Sequence, residues 1–316
     1  MLKYLTLGVL FLAPLTAVAA QSVNTAPIRQ EPKPNNGFSY PYYLYVPAEL
    51  RDQKLKKQTH TILVLPNNTG KVDDSFDVHD ADVKRRIGQA GMIASALKVA
   101  VLMPVFPRPA TDWRIYTQAL DRDSLVTDKK EYSRLDLQLI AMIDDARSQL
   151  KKENLKFDKR VLINGFSAQG MFANRFTFLH PDRVKAAAIG SPGGWPIAPV
   201  ESYNEKTLRY PIGIADVKKI TGKAIDFNAL RKVPLFVFLG DKDDNDSVIF
   251  GDSYDDEDKE LMLPLFGQKP VDRWEISKAL YQRARLNAQF TMYSNVGHTV
   301  TQEMRDDIRA FLLKHK

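Results

Sequence analysis

The 316-residue chain contains no cysteine. Disulfides and a lipoprotein anchor on a cysteine are excluded, so stability has to come from a packed core. Long hydrophobic runs are nearly absent too. The main one, residues 5–15, falls short of the about 20 apolar residues that a membrane span needs. There is no compact basic stripe interleaved with aromatics, which argues against a nucleic-acid partner. Histidine occurs only five times. No His/Asp/Glu cluster has the spacing of a catalytic metal site, so neither metal nor another cofactor is expected. No internal repeat is present.

What the chain does have begins with a targeting pattern. Lys3 forms a short positive region, residues 5–15 an apolar one, and Ala17-Val18-Ala19-Ala20 a small-residue cleavage zone. This pattern predicts a signal peptide over residues 1–20 and an exported protein, periplasmic or secreted. The alternative, a transmembrane anchor, is disfavoured by the shortness of the run, so no stable membrane anchor is expected. The formal net charge is +7, which becomes +6 when the segment carrying Lys3 is removed. Basic charge suits an anionic envelope or polymer, but a soluble protein with a small lysine excess explains it as well.

The mature length fits one α/β domain or two smaller ones. Residues 21–37, rich in Pro, Asn and polar side chains, read as an extended lead-in. Residues 38–46 are aromatic and suit edge strands. Short apolar runs at 61–65, 99–104, 161–164, 184–189, 235–239 and 290–293 read as buried strands. A helix is expected over residues 133–150, with Leu135, Leu139, Met142, Ile143, Ala146 and Leu150 on one face and Ser133 with Asp136 as its cap. A terminal helix carries Met304, Ile308, Phe311 and Leu312, capped by Thr299 with Gln302. Strands alternating with helices predict an α/β fold, a mostly parallel central sheet with helices on both faces. Two insertions, about 196–231 and 245–285, either cover a site or extend the surface.

The most informative stretch is Gly165-Phe166-Ser167-Ala168-Gln169-Gly170. It joins the Val161-Leu162-Ile163 strand to a helical pattern of Met171, Phe172, Phe176 and Leu179. Strand, glycine-flanked turn with a central serine, then helix is the context of a nucleophile elbow. A serine hydroxyl is a weak nucleophile alone and needs a histidine base and an acid to orient it. Gly240-Asp241-Lys242-Asp243 follows the 235–239 strand, and Gly297-His298 follows the 290–293 strand. Of the five histidines, only His298 follows the last strand on a loop able to reach the serine. Asp243 is the preferred acid, with Asp241, Asp244 and Asp246 as rivals that spacing does not separate. Asp241, Asp243, Asn245 and Asp252 also imitate a calcium loop, although Asp246 stands where that loop needs glycine. The acidic run 252–258 reads as a solvated loop.

In its order Ser167, Asp243, His298 the chain resembles the α/β-hydrolase superfamily, from about residue 40 to the C-terminus. More narrowly, it resembles bacterial secreted esterases of the polyhydroxybutyrate-depolymerase and feruloyl-esterase kind. It departs from the GxSxG pattern at Gln169, with glycine one place later at Gly170. The resemblance implies one α/β-hydrolase domain over residues 38–316 that cleaves carboxylic esters, small or polymeric. It also implies an oxyanion hole from the backbone N–H of Ala168 and of Asn68, or Asn67 if the loop turns earlier. Trp113, Tyr116 and Trp195, with Phe106, lie on loops after strands, where ligands bind, and are candidate substrate contacts. Core packing explains each of them equally well. Arg114 could meet a substrate carboxylate or simply face solvent. The rival functions are a serine peptidase or amidase of the same fold and a non-catalytic binding protein on this scaffold.

Overall fold

The computed structural model describes residues 26–316. The expected signal peptide, 1–20, lies outside the described residues, as does the start of the lead-in. Among the described residues no helix is long and apolar enough to cross a membrane.

Eight strands form the central sheet: β1 Ile28–Gln30, β2 Tyr42–Tyr45, β3 Ile62–Val64, β4 Ala100–Pro104, β5 Val161–Phe166, β6 Val184–Gly190, β7 Leu235–Gly240 and β8 Ala288–Tyr293. Their order across the sheet is β1-β2-β4-β3-β5-β6-β7-β8. From β4 to β8 all neighbours are parallel, while β2 runs antiparallel to β4 and to β1. The apolar runs are continuous because both faces are buried. Ile62, Leu63 and Val64 are all fully buried, as are Val161, Leu162 and Ile163. One face packs on helices α3 (Leu135–Lys152) and α4 (Ala168–Leu179). The other packs on α1 (Phe76–Ile87), α2 (Gly91–Leu97) and α7 (Gln302–His315). The expected α/β architecture is present.

Several local readings are corrected. The stretch taken as lead-in supplies β1, which pairs in register with β2 (Ile28 opposite Leu44), so the sheet starts before residue 38. Ser133 and Asp136 do not form the expected cap. α3 starts after Arg134 in a left-handed conformation with no side-chain cap. Asp136 turns inward instead and accepts bonds from Arg134 and from His180 Nε2 at 2.7 Å. The terminal helix is capped by Thr301 rather than Thr299, with Oγ1 accepting from the Met304 N–H at 3.2 Å. Thr299 is used in the turn that carries His298, bonding Gly297 O. The acidic run is not a solvated loop. Asp258 accepts the Asp255 N–H at the start of helix α5 (Asp256–Phe266), and Arg209 reaches Asp255, Glu257 and Asp258 at 2.7–2.8 Å.

The two insertions share a small apolar core. Trp195, Ala198, Leu208 and Ile212 meet Val248, Tyr254, Met262, Phe266 and, from helix α6 (Trp274–Arg283), Leu280. The same cluster contains Ala168 and Met171 from the first turn of α4. The insertions therefore pack directly on the elbow helix.

Candidate functional site

Ser167 sits at the junction of β5 and α4 with φ 62° and ψ −129°. A non-glycine residue with positive φ stores roughly 1–3 kcal/mol of strain and persists only where its surroundings enforce it. Here they do. Ser167 N donates to Gly190 O at 3.0 Å, tying the turn to the end of β6. A Cβ on Gly165 would lie 2.2 Å from Gln169 O, and one on Gly170 would lie 2.2 Å from Gly190 O. Both glycines are thus demanded by close backbone approach, and the displaced second glycine of the motif has its own reason for being one residue late. Ala168 opens α4, where first-turn N–H groups lack intrahelical acceptors and the helix dipole favours negative charge.

His298 lies on the loop after β8. Its Nδ1 is 3.0 Å from both carboxylate oxygens of Asp243. Its ring packs on the Phe166 ring at 4.7 Å, so the imidazole rests on the residue preceding Ser167. Among the described residues neither the Ser167 hydroxyl nor His298 Nε2 has a hydrogen-bond partner. Such bonds often tighten only when substrate is bound. Burial would raise the Asp243 pKa, but the His298 imidazole and the Asn245 N–H, which donates to Oδ1 at 3.1 Å, outweigh it and hold the carboxyl below the usual carboxylate value; the nearby Ser191 hydroxyl is buried with no hydrogen-bond partner among the described residues.

The rival acids have other partners. Asp246 and Arg273, 1% and 0% exposed, form a doubly bonded pair with both N···O distances 2.8 Å. Asp241 accepts the Val296 N–H at 3.3 Å and braces the histidine loop, while Asp244 is exposed. A Cβ on Gly240 would lie 2.1 Å from Val296 O, so glycine there lets the histidine loop approach β7. The calcium-like spacing is dispersed, because Asp252 pairs with Arg108 at 2.8 Å and Asp243 with His298. Among the described residues no group of three or more His, Cys, Asp or Glu side chains is placed to hold a metal ion.

The loop after β3 is held firmly. Asn67, fully buried, bonds Phe106 through both ends of its amide at 2.7 and 3.1 Å. Asn68 is partly exposed and caps its own turn, with Oδ1 accepting the Gly70 N–H at 3.1 Å. The aromatic candidates divide. Trp195 is 1% exposed, donates Nε1–H to Ile212 O at 2.8 Å and packs on Phe266 at 4.3 Å, which makes it core of the insertions rather than a pocket wall. Phe106 is likewise buried, against Phe172. Tyr116 is buried beneath the Arg108 guanidinium, 3.8 Å from the ring centre. Trp113 is 44% exposed, with Arg114 beside it. The sequence reading missed Phe166 as a support for His298 and Ser191 as a neighbour of Asp243. Adjacency to Ser167 was the one available signal for Phe166; for Ser191 there was none.

No family model and no curated protein matches this chain. Solved structures do. Poly(aspartic acid) hydrolase-1 from Sphingomonas sp. KT-1 is 19% identical, with a TM-score of 0.61 over 92% of this chain and 99% of that one. The poly(3-hydroxybutyrate) depolymerase LpqC from Bordetella parapertussis is 15% identical, with a TM-score of 0.53 over 92% and 90%. An S-formylglutathione hydrolase from Agrobacterium tumefaciens is 14% identical, with a TM-score of 0.51 over 94% and 98%. Together with the sheet order and the serine-bearing turn after β5, these likenesses establish that the chain has the α/β-hydrolase fold.

Proposed function

We propose that this protein is an exported serine hydrolase that cleaves carboxylic esters. One observation carries the reading. The His298 imidazole is bonded to the buried Asp243 carboxylate and packs on the ring of Phe166, the residue before a serine fixed in a strained elbow. In this reading Ser167 Oγ attacks the ester carbonyl as His298 Nε2 takes its proton, and Asp243 stabilises the resulting imidazolium. The backbone N–H groups of Ala168 and Asn68 receive the oxyanion. The alcohol leaves with the proton from His298, and a water activated by the same imidazole then releases the acid. No step calls on a metal or cofactor. Residues 1–20 direct export to the periplasm or medium, and N-terminal sequencing of the protein made by its source cells tests cleavage after Ala19 or Ala20.

A second reading is amide hydrolysis. It is favoured by the likeness to a protein named for poly(aspartic acid), whose repeating link is an amide. One experiment addresses both. Ser167→Ala should lower ester turnover on the order of 10³-fold or more while the protein stays folded, and a matched amide series should be cleaved far more slowly than esters. Equal ester turnover by wild type and variant would remove the serine mechanism. Amides cleaved as fast as esters would put the amidase reading in its place.

A further inference from the structure

Resting on the serine-hydrolase reading, we propose that Gln169 is a positioning residue that fixes the oxyanion loop relative to the nucleophile. Gln169 occupies the place where the elbow pattern has glycine. It lies in the first turn of α4, immediately after Ala168, and its side-chain amide donates to the carbonyl of Pro66. Pro66 begins the loop after β3 that carries Asn67 and Asn68.

The other ties on this loop come from elsewhere. Asn67 is bound to Phe106, beyond β4. Thr69 N–H is bound to Gln118 Oε1 at 3.0 Å, and Asn68 is bound within its own turn. None of these relates the loop to Ser167. The Gln169–Pro66 bond does. It links the helix that begins directly after Ser167 to the loop that, in the proposed mechanism, offers the second oxyanion donor. A glycine at this position has no side chain to make the link. The backbone of Gln169 meanwhile presses on Gly165, so the main chain at this point is already fixed and the side-chain amide is what remains to vary.

The oxyanion exists only in the tetrahedral transition state, so a misplaced donor is felt there and not in ground-state binding. Displacement of a catalytic group by about 1 Å can cost on the order of 10²-fold. The lost hydrogen bond itself is a small part of global stability. Gln169→Ala should therefore lower kcat roughly 10- to 100-fold. KM should change less than about threefold, and the melting temperature should move by less than about 4 °C.

The test compares wild type, Gln169→Ala and Gln169→Glu with a chromogenic ester, an aryl boronic acid as a tetrahedral-adduct analogue, and a fluorophosphonate label. The proposal expects the boronate inhibition constant to weaken by the same factor as kcat/KM in Gln169→Ala, while substrate KM holds. Gln169→Glu should behave like the alanine variant at neutral pH, where a carboxylate faces the Pro66 carbonyl. Its activity relative to the alanine variant should recover below about pH 5, as the carboxyl gains a proton to donate. A kcat within threefold of wild type in Gln169→Ala would overturn the proposal. So would a fall in kcat with unchanged boronate affinity, which is the mark of a purely structural role. A wild-type protein that takes no label at Ser167 would overturn the serine reading itself, and this proposal with it.

Discussion

Asp243 and Asp246 stand three residues apart, both almost completely buried, yet they should fail in different ways when the carboxylate is replaced by an amide. In Asp243→Asn the Asn245 N–H, which donates to Oδ1 at 3.1 Å, selects which end of the new amide carries the oxygen. The amide NH2 is then turned toward His298 Nδ1. A donor facing Nδ1 forces the ring proton onto Nε2, and in the proposed mechanism Nε2 can then no longer accept a proton from Ser167. Turnover should fall about 10³- to 10⁴-fold, the scale of a triad held in the wrong tautomer. Little stability should be lost, since the shape is kept. In Asp246→Asn the damage is the reverse. Arg273 is 0% exposed and would be left as a buried charge without its carboxylate. Breaking such a pair costs about 3–5 kcal/mol, which for a chain of this size lowers the melting temperature by roughly 5–8 °C. Ester kinetics below the melting range should survive. The assay is kcat/KM on a chromogenic ester beside thermal unfolding for each variant. Asp243→Asn with more than a tenth of wild-type activity, or Asp246→Asn with normal melting and a thousandfold kinetic loss, would refute the assignment.

The same pair shows where sequence stops being legible. Four carboxylates follow β7 within six residues, and spacing alone did not tell which one meets the histidine. Direction is set by the loop backbone and by partners far along the chain: Arg273 draws Asp246 in one direction and His298 draws Asp243 in another. The inner β-strands were legible because burial on both faces leaves uninterrupted apolar runs, and the elbow because its glycines answer to close backbone contact. β1 was not, since Ile28-Arg29-Gln30 is three residues long and mostly polar, and it becomes a strand only through pairing with β2. α1 was hidden by its charged composition, although His79 within it is fully buried, with Nε2 2.9 Å from Asp73 O. For Trp195 the sequence left a pocket wall and core packing equally open, because a tryptophan after a strand suits either. Its real neighbours, Ile212 and Phe266, arrive from two separate insertions that local pattern does not bring together. Ser133 with Asp136 carried a genuine capping pattern, and the buried attraction of His180 and Arg134 overrode it.

Two further outcomes follow from close packing and from buried charge. Gly240→Ala should push the histidine loop off β7, because its Cβ would lie 2.1 Å from Val296 O. Turnover should drop at least tenfold with fluorophosphonate labelling of Ser167 slowed in parallel, and a variant with wild-type labelling kinetics would show that the loop yields without cost. The last outcome concerns acid stability. Burial acts to raise the Asp136 pKa, yet the His180 and Arg134 contacts more than reverse it and bring it down to about 2. The folded value lies below the unfolded one of about 3.9, so the folded state binds the proton less readily. The stabilisation is thus complete above about pH 4 and is lost as pH falls toward 2; the shift corresponds to about 2–3 kcal/mol. Asp136→Asn has no proton to bind at this site. The stability gap between wild type and Asp136→Asn, measured by urea unfolding, should narrow by about 2 kcal/mol as the pH falls from about 4.5 to 2. A gap that stays constant to pH 2, or widens, would mean that the Asp136–His180–Arg134 cluster does not hold its carboxylate charged in the folded protein.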